Sequence, residues 1–236
     1  MSNYDILSKF YDGIMGDRTK KARLLARYIK EANPKAKSVL ELACGTGAVL
    51  KFLSKTYAVT GIDLSAGMLR VAKKEMPHVK FYHQNMVNFK IPKKFDVILC
   101  VFDSMNHLLK FSDWERLFLN AHRHLNNNGV FIFDINIEKD LGHISQPSWV
   151  YEFDTNFLII KISDVRKNTY KWNMKIFERK KNNQYVLHEE NILESSFELD
   201  KTIRALKPLF KSVKVIDANR NDPKRKSDRF YLVCKK

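Results

Sequence analysis

The chain has 236 residues, of which 44% are hydrophobic and 29% are charged, as is usual for a globular protein with one sizeable core. It contains no run of about 18 uncharged apolar residues, which argues against a transmembrane helix. Met1 to Phe10 lacks the apolar core of a signal peptide. The three cysteines, Cys44, Cys100 and Cys234, are too far apart in sequence for a metal knuckle or a redox pair. We therefore expect a cytoplasmic protein with reduced thiols, no bound metal and no membrane association.

The formal net charge is +16, and strongly basic proteins often bind nucleic acid. The excess of lysine and arginine is spread over both halves of the chain, without a basic tail or a basic domain. A solvated basic surface explains such a distribution equally well. A nucleic-acid partner is therefore possible but not favoured by the sequence.

Between Ser38 and Asn136, short apolar runs alternate with amphipathic segments. Strands buried on both faces appear as continuous apolar runs, so this alternation predicts an α/β fold, with a mostly parallel, Rossmann-like sheet and helices on both faces. The predicted strands are Lys37–Leu42, Tyr57–Asp63, Val79–His83, Phe95–Asp103 and Val130–Ile135. The predicted helices are Ala48–Lys55, Ala66–Glu75 and a third that opens with a capping box at Ser112–Glu115 and ends near Leu125.

After Asn136 the pattern changes to period-two alternation, which predicts a small antiparallel unit. Its predicted strands are Trp149–Phe153, Phe157–Ser163, Tyr170–Glu178 and Gln184–Glu190. A helix at Asp200–Phe210 and two strands, Val213–Asp217 and Phe230–Cys234, follow, and the basic run Asn219–Arg229 is expected to form an exposed hairpin loop. The predicted organisation is thus a core in residues 1–140, an antiparallel insertion in 141–195, and a segment in 196–236 that completes the core sheet.

The most informative motif is the segment Glu41–Gly47, which lies between a strand and a helix. Gly45 and Gly47 have no Cβ, so the backbone can turn sharply and approach a ligand closely. A dinucleotide site has a third glycine where this chain has Leu50, and no Lys-Ser/Thr pair follows to make a phosphate-binding loop. The motif therefore disfavours both NAD-type dinucleotides and nucleoside triphosphates.

S-adenosylmethionine, which contains no phosphate, fits these residues better. Glu41 supplies an acid for its ammonium and sulfonium groups, and Asp63, at the end of the second strand, can accept hydrogen bonds from both ribose hydroxyls. Leu64 and Met68 follow Asp63 and can cover the adenine ring.

The chain also resembles the class I S-adenosylmethionine-dependent methyltransferases. The resemblance rests on Val39–Leu50, on Gly61–Ser65 with Met68-Leu69, and on Phe95–Leu108, which ends in the stretch Asp103-Ser104-Met105-Asn106-His107-Leu108. It is strongest for a branch of small bacterial and archaeal members similar to N-methyltransferases of sugar-nucleotide amines, and it covers about residues 1–140. It implies these cofactor-binding residues: Tyr11 in a closing N-terminal helix, Glu41, Ala43, Gly45 and Gly47 at the methionine end, Asp63 at the ribose, Leu64, Met68, Asn85 and Met86 around the adenine, and Cys100 and Phe102 near the methyl group. Asn85 stands where the family often has aspartate, and its amide oxygen can still accept a hydrogen bond.

Asp103 and His107 are the candidate catalytic residues, because either can take a proton from an amine or a hydroxyl. The expected reaction is in-line methyl transfer to a small-molecule acceptor through nitrogen or oxygen, by a monomer or a homodimer. The antiparallel insertion is expected to form a lid or floor for the acceptor pocket, with Trp149, Tyr151, Phe153, Tyr170, Trp172 and Met174 as alternating side chains. Two alternatives stay open: a tRNA or rRNA methyltransferase, and a protein that binds the cofactor without transferring its methyl group.

Overall fold

The computed structural model describes residues 4–137, 148–218 and 229–236. These residues form a seven-stranded sheet in the order β10-β11-β5-β4-β1-β2-β3 and a separate four-stranded antiparallel sheet in the order β6-β7-β8-β9. The strands are β1 Ser38–Leu42, β2 Ala58–Asp63, β3 Lys80–His83, β4 Phe95–Cys100, β5 Leu125–Asn136, β6 Trp149–Phe153, β7 Asn156–Arg166, β8 Thr169–Arg179, β9 Tyr185–Ser195, β10 Ser212–Asp217 and β11 Arg229–Lys235. The α-helices are α1 Tyr11–Met15, α2 Thr19–Ala32, α3 Ala48–Leu53, α4 Ala66–Glu75, α5 Phe111–His124 and α6 Leu199–Leu206. Short 3₁₀ turns occupy Leu7–Lys9, Ser104–His107 and Lys181–Asn183.

Strands β1 to β5 are parallel, and β11 and β10 complete the sheet in antiparallel pairings. The strand order reverses beside β1, because β2 and β3 lie on one side of it and β4 and β5 on the other. In an open sheet of this kind, ligands bind outside the carboxyl ends of the strands at that reversal. The fold therefore predicts a ligand site at the loops that follow β1, β2, β3 and β4.

Alternate side chains of the central strands enter two different apolar cores. Leu40 and Ile98 pack with Trp114 of α5 on one face. Their neighbours Val39 and Val97 pack on the other face, with residues of α2 and α3. Because both faces are covered by helices, all five residues of β1 are buried. The Rossmann-like α/β class predicted from the apolar runs is confirmed.

The antiparallel sheet packs against the N-terminal segment. Leu7 and Phe10 share a buried cluster with Leu158, Ile176 and Ile192 of this sheet. Lys9 also forms an ion pair with Glu178 of β8. The N-terminal turn and helix α1 are thus attached to the second sheet, although they precede it by more than a hundred residues.

The start of α5 and the residues after it differ from prediction. Ser112 lies inside the helix, whose N-cap is Lys110 and has no capping side chain. The strand after the helix begins at Leu125, five residues before the predicted start at Val130, and Asn128 within it has a left-handed φ of 62°. The predicted hairpin loop lies outside the described residues over 219–228, and its last residue, Arg229, is part of β11. In the described residues, no helix is long and apolar enough to cross a membrane.

Asp96 joins the starts of three strands. Its Oδ2 accepts hydrogen bonds from the backbone N–H of Lys37 at 2.9 Å and of Ser38 at 3.0 Å, and from the Ser38 hydroxyl at 2.9 Å. Its Oδ1 accepts one from Asn126 Nδ2 at 2.8 Å. Burial acts to raise the pKa of Asp96, but these hydrogen bonds to the ionised form outweigh it and hold the pKa below its usual value.

We expect Asp96→Ala to lower the free energy of unfolding by about 1–2 kcal/mol at pH 7, because a carboxylate acceptor of several hydrogen bonds is lost from a partly exposed site. A depressed pKa adds stability above the unfolded-state value and loses it as the pH falls, so the difference from the wild type should shrink below about pH 4. Urea unfolding at pH 7 and pH 3.5 measures both effects. Asp113→Ala is the control, since Asp113 is paired only with Arg116 of its own helix among the ion pairs of the described residues; an equal loss in this control would contradict the assignment.

Candidate active site

Most of the predicted site residues line one cavity at the carboxyl ends of the parallel strands. Each of the four loops after β1, β2, β3 and β4 contributes to its wall. The predicted residues in the wall are Tyr11, Ala43, Gly45, Asp63, Leu64, Met68, Asn85, Met86, Phe102 and His107. The cavity therefore lies where the strand order reverses, and the structure brings together residues that are up to 96 positions apart (Tyr11 to His107).

The loop after β1 is held by Asp63. The carboxylate of Asp63 accepts a hydrogen bond from Gly45 N through Oδ2 and one from Ser65 N through Oδ1, each at 2.8 Å. Burial raises the pKa of Asp63, and these two backbone N–H groups act in the opposite direction. Ser65, rather than Asp63, is the N-cap of α4, since its hydroxyl accepts from Met68 N at 3.1 Å. Asp63 thus joins the loops after β1 and β2 at the cavity.

Gly45 and Gly47 have different surroundings. Both have positive φ angles, of 55° and 78°, which glycine adopts at little cost. Gly45 lines the cavity, where a ligand can approach its backbone. Gly47 instead faces α4, and a Cβ there would overlap the end of the Met76 side chain. The structure therefore places Gly47 in the packing between the loop and α4, and not at the cavity to which the prediction assigned it.

The N-terminal segment closes one side of the cavity. Tyr4 and Tyr11 line it, with their rings edge to face at a centroid distance of 6.2 Å. The segment is fastened to the loops below it, because Thr46 Oγ1 donates to Asp12 at 2.6 Å and Ser65 Oγ donates to Asp5 at 2.6 Å. These contacts hold the two tyrosines over the glycine turn.

Glu41 is buried beneath the glycine loop and does not line the cavity. It is 3% exposed, and its Oε2 has no hydrogen-bond partner among the described residues. Burial raises the pKa of Glu41 to about 8, and the nearby guanidinium of Arg18 lowers it. An acid buried with an unused acceptor is suited to a cationic ligand group such as an ammonium. With the acceptor oxygens of Asp63 and the apolar wall of Leu64, Met68 and Met86, these residues fit the amino, ribose and adenine parts of S-adenosylmethionine.

Two further predicted residues lie behind the wall. Cys100 is completely buried in the core, and its sulfur lies 3.9 Å from that of Met86. Asp103 is engaged with Arg229, whose Nη2 lies 2.8 Å from its Oδ2, and with Asn136, whose Nδ2 donates to the same oxygen at 3.0 Å. The strand ends at Cys100 because Phe102 and Asp103 both have left-handed φ angles, which turn the chain away from the sheet. This turn exposes Phe102 to the cavity and directs Asp103 to Arg229.

His107 lines the cavity and is held between two other side chains. Its Nε2 lies 3.0 Å from the hydroxyl of Tyr4, and its Nδ1 lies 3.8 Å from Oε1 of Glu194. Burial holds the pKa of His107 below its usual value, against the opposing charge of Asp103. The imidazole is therefore neutral near pH 7, the form that can accept a proton.

Sequence reasoning missed several residues of the site. Gln84, Ser104 and Leu108 also line the cavity. Ser104 and Leu108 lie inside the quoted motif after β4, and Gln84 directly precedes Asn85, so their positions in the chain could have indicated them. Tyr4 and Glu194 gave no such signal, because each reaches His107 from an element far away in sequence.

Comparisons with known proteins agree with this geometry. Residues 39–129 match a methyltransferase domain. A Geobacillus protein whose own assignment as a methyltransferase is provisional is 26% identical over 99% of both chains. The dTDP-3-amino-3,6-dideoxy-alpha-D-glucopyranose N,N-dimethyltransferase of Streptomyces fradiae is 30% identical, over 56% of this chain and 51% of its own length. The crystal structure of an S-adenosylmethionine-dependent methyltransferase from Clostridium acetobutylicum superposes with a TM-score of 0.86 at 25% identity and covers 98% of each chain.

Fold and cavity are those of a Rossmann-like protein with a ligand-sized cavity at the carboxyl ends of its parallel strands. The matched domain and these relatives narrow the kind of enzyme: the chain has a methyltransferase domain and the fold of S-adenosylmethionine-dependent methyltransferases, and S-adenosylmethionine is its cofactor.

We expect Asp63→Ala to weaken S-adenosylhomocysteine binding by about 1.5–3 kcal/mol, because the variant loses a carboxylate acceptor at the ribose position. Titration calorimetry measures this change. Asp96→Ala is the matched control, since Asp96 lies at the opposite end of the sheet and its loss should destabilise the fold while leaving the affinity unchanged. A folded Asp63→Ala protein with wild-type affinity would show that Asp63 only fastens the loop.

Proposed function

We propose that the protein methylates an amine of a small-molecule acceptor, with amino sugars carried on nucleotides as the first class to test. The observation that carries the proposal is His107, a half-buried and neutral imidazole in the wall of the cofactor cavity. Relatives named as N,N-dimethyltransferases of dTDP-amino sugars support the choice of acceptor class.

The proposed cofactor contacts follow from the wall of the cavity. In this proposal the backbone of Ala43 and Gly45 in the wall holds the methionine end, with the Glu41 carboxyl behind it, and Asp63 receives the ribose hydroxyls. The apolar side chains and the Asn85 amide surround the adenine. When bound, S-adenosylmethionine supplies a methyl group on a positively charged sulfur.

On the acceptor side, the chain's own residues have three tasks. They hold the nucleophile in line with the methyl group, exclude water and remove a proton. Phe102 and Leu108 supply an apolar wall, and His107 with the Tyr4 hydroxyl supplies the proton acceptor. Asp103, bound to Arg229, acts in this proposal through its charge on the surrounding groups rather than by touching the acceptor.

The antiparallel sheet is proposed to complete the acceptor side, but not with the aromatic wall that the sequence suggested. Tyr170 and Met174 are buried in the sheet's packing, and Tyr151 is 50% exposed. None of the described aromatic residues of this sheet lines the cofactor cavity. The sheet instead reaches the cavity wall through Glu194, which lies beside His107.

We expect calorimetry to show binding of S-adenosylmethionine and S-adenosylhomocysteine and no binding of NAD. With nucleotide-linked amino sugars as acceptors, the enzyme should release S-adenosylhomocysteine at least tenfold faster than with their hydroxy-sugar counterparts.

His107→Asn should lower kcat about 100-fold, the lower end of the range for loss of a general base. His78→Asn is the control, because His78 is exposed in the turn before β3.

Other outcomes of the same assay would replace the proposal. S-adenosylhomocysteine release with tRNA but not with amines, and an affinity for tRNA that falls steeply with salt, would identify an RNA methyltransferase. Cofactor binding without release on any acceptor would identify a binding protein that does not transfer the methyl group.

A further inference from the structure

Glu194 is a buried carboxylate next to the cavity, and the surrounding packing offsets little of the cost of burying its charge. It lies at the end of β9, is 6% exposed, and its Oε2 has no hydrogen-bond partner among the described residues. Another acid of the same strand, Glu189, is solvent-exposed and pairs with Lys175 at 3.1 Å. Burying an unpaired carboxylate is costly, so a position that retains one is a candidate functional position.

The geometry connects Glu194 to the cavity through two side chains. Tyr4 lines the cavity, and its hydroxyl lies 3.0 Å from His107 Nε2; His107 Nδ1 lies 3.8 Å from Glu194 Oε1. Asn106 fixes this arrangement, because its Nδ2 donates to the carbonyl oxygens of Ser195 at 3.0 Å and of Asn136 at 2.9 Å. The 3₁₀ turn that carries His107 is thereby attached to the end of the strand that carries Glu194.

We propose that Tyr4, His107 and Glu194 form a proton relay in which Glu194 receives the proton that the acceptor loses. This relay rests on the proposed function, because the proposed methyl transfer supplies the acceptor proton with which it begins. The acceptor N–H bond breaks and its proton passes to the Tyr4 oxygen as the Tyr4 proton moves to His107 Nε2. The proton on Nδ1 then passes to the Glu194 carboxylate, which becomes a carboxylic acid.

The last step requires the Glu194 oxygen to approach Nδ1 by about 1 Å, because 3.8 Å is too long for a hydrogen bond. Catalytic hydrogen bonds are often long in the absence of substrate and shorten in the reacting complex.

The charges around Glu194 suit it to hold a proton near neutral pH. Burial and the neighbouring Asp103 raise the pKa of Glu194 to about 8, while Arg229 of β11 and Trp172 of β8 act in the opposite direction. Tyr4 approaches from the N-terminal segment and His107 from the 3₁₀ turn after β4. An ordinary carboxylate, with a pKa near 4.3, would return such a proton at once. Glu194 ionises as the pH rises through about 8, so the relay becomes competent in that range.

The test follows the His107 imidazole by ¹⁵N NMR in protein saturated with S-adenosylhomocysteine. In the wild type, the His107 shifts should show a second inflection near pH 8, in addition to the titration of the ring itself at lower pH, because the two groups titrate as a coupled pair. Glu194→Gln should abolish the inflection near pH 8. Glu189→Gln, on the same strand, should preserve it.

Persistence of that inflection in Glu194→Gln would overturn the relay. Its absence from the wild-type protein would also overturn the relay, and that result does not depend on whether a variant folds. Failure of S-adenosylhomocysteine to bind would instead contradict the cofactor site and the proposed function.

With the best amine acceptor from the panel, Glu194→Gln should lower kcat at least tenfold with little change in the KM for S-adenosylmethionine. An unchanged kcat would assign Glu194 a structural role only.

Discussion

The cavity depends on one carboxylate that holds two loops together. Asp63 accepts one backbone N–H from the glycine turn after β1 and one from the start of the loop after β2, both at 2.8 Å. Hydrogen bonds to an ionised acceptor are stronger than those between neutral groups, so this contact fixes the spacing between the loops. The same carboxylate lines the cavity, and in the proposed function its remaining acceptor sites receive the ribose hydroxyls. A single residue thus shapes the cavity and forms part of its wall.

The N-terminal segment connects the two sheets and forms one wall of the site. Its apolar residues Leu7 and Phe10 are buried against the antiparallel sheet, and its polar residues Asp5 and Asp12 bond to the loops of the parallel sheet. Because these contacts lie on opposite sides of a short segment, the cavity wall formed by Tyr4 and Tyr11 is coupled to the packing of the second sheet. The wall of the cavity and the packing of the second sheet therefore share one structural element.

Several carboxylates around the site are held out of water. Burial raises the pKa of Glu41 to about 8 and that of Asp134 to about 6. Arg229 lies 2.8 Å from Asp103 and 3.5 Å from Asp134, and it offsets part of this negative charge. A cavity surrounded by incompletely compensated acids favours ligands that carry positive charge, such as a sulfonium, an ammonium or an amine that gains charge as it is methylated.

Local sequence patterns were enough to predict the parallel sheet, the glycine turn, the position of Asp63 and the class of cofactor, because strand burial and a ligand-binding turn are recorded in apolar runs and in glycine spacing. They also indicated Phe102 and His107, which lie within one contiguous motif after β4. The three-dimensional packing was needed to show that Gly47 packs against Met76, that Cys100 is core, and that Asp103 is bound to Arg229, 126 positions later in the chain. Tyr4 and Glu194 were likewise out of reach of the sequence, because each meets His107 across a distance in sequence that no local pattern records. Local periodicity specifies which residues a strand or turn buries, whereas the partners of a buried charge are set by which distant elements the fold packs beside it.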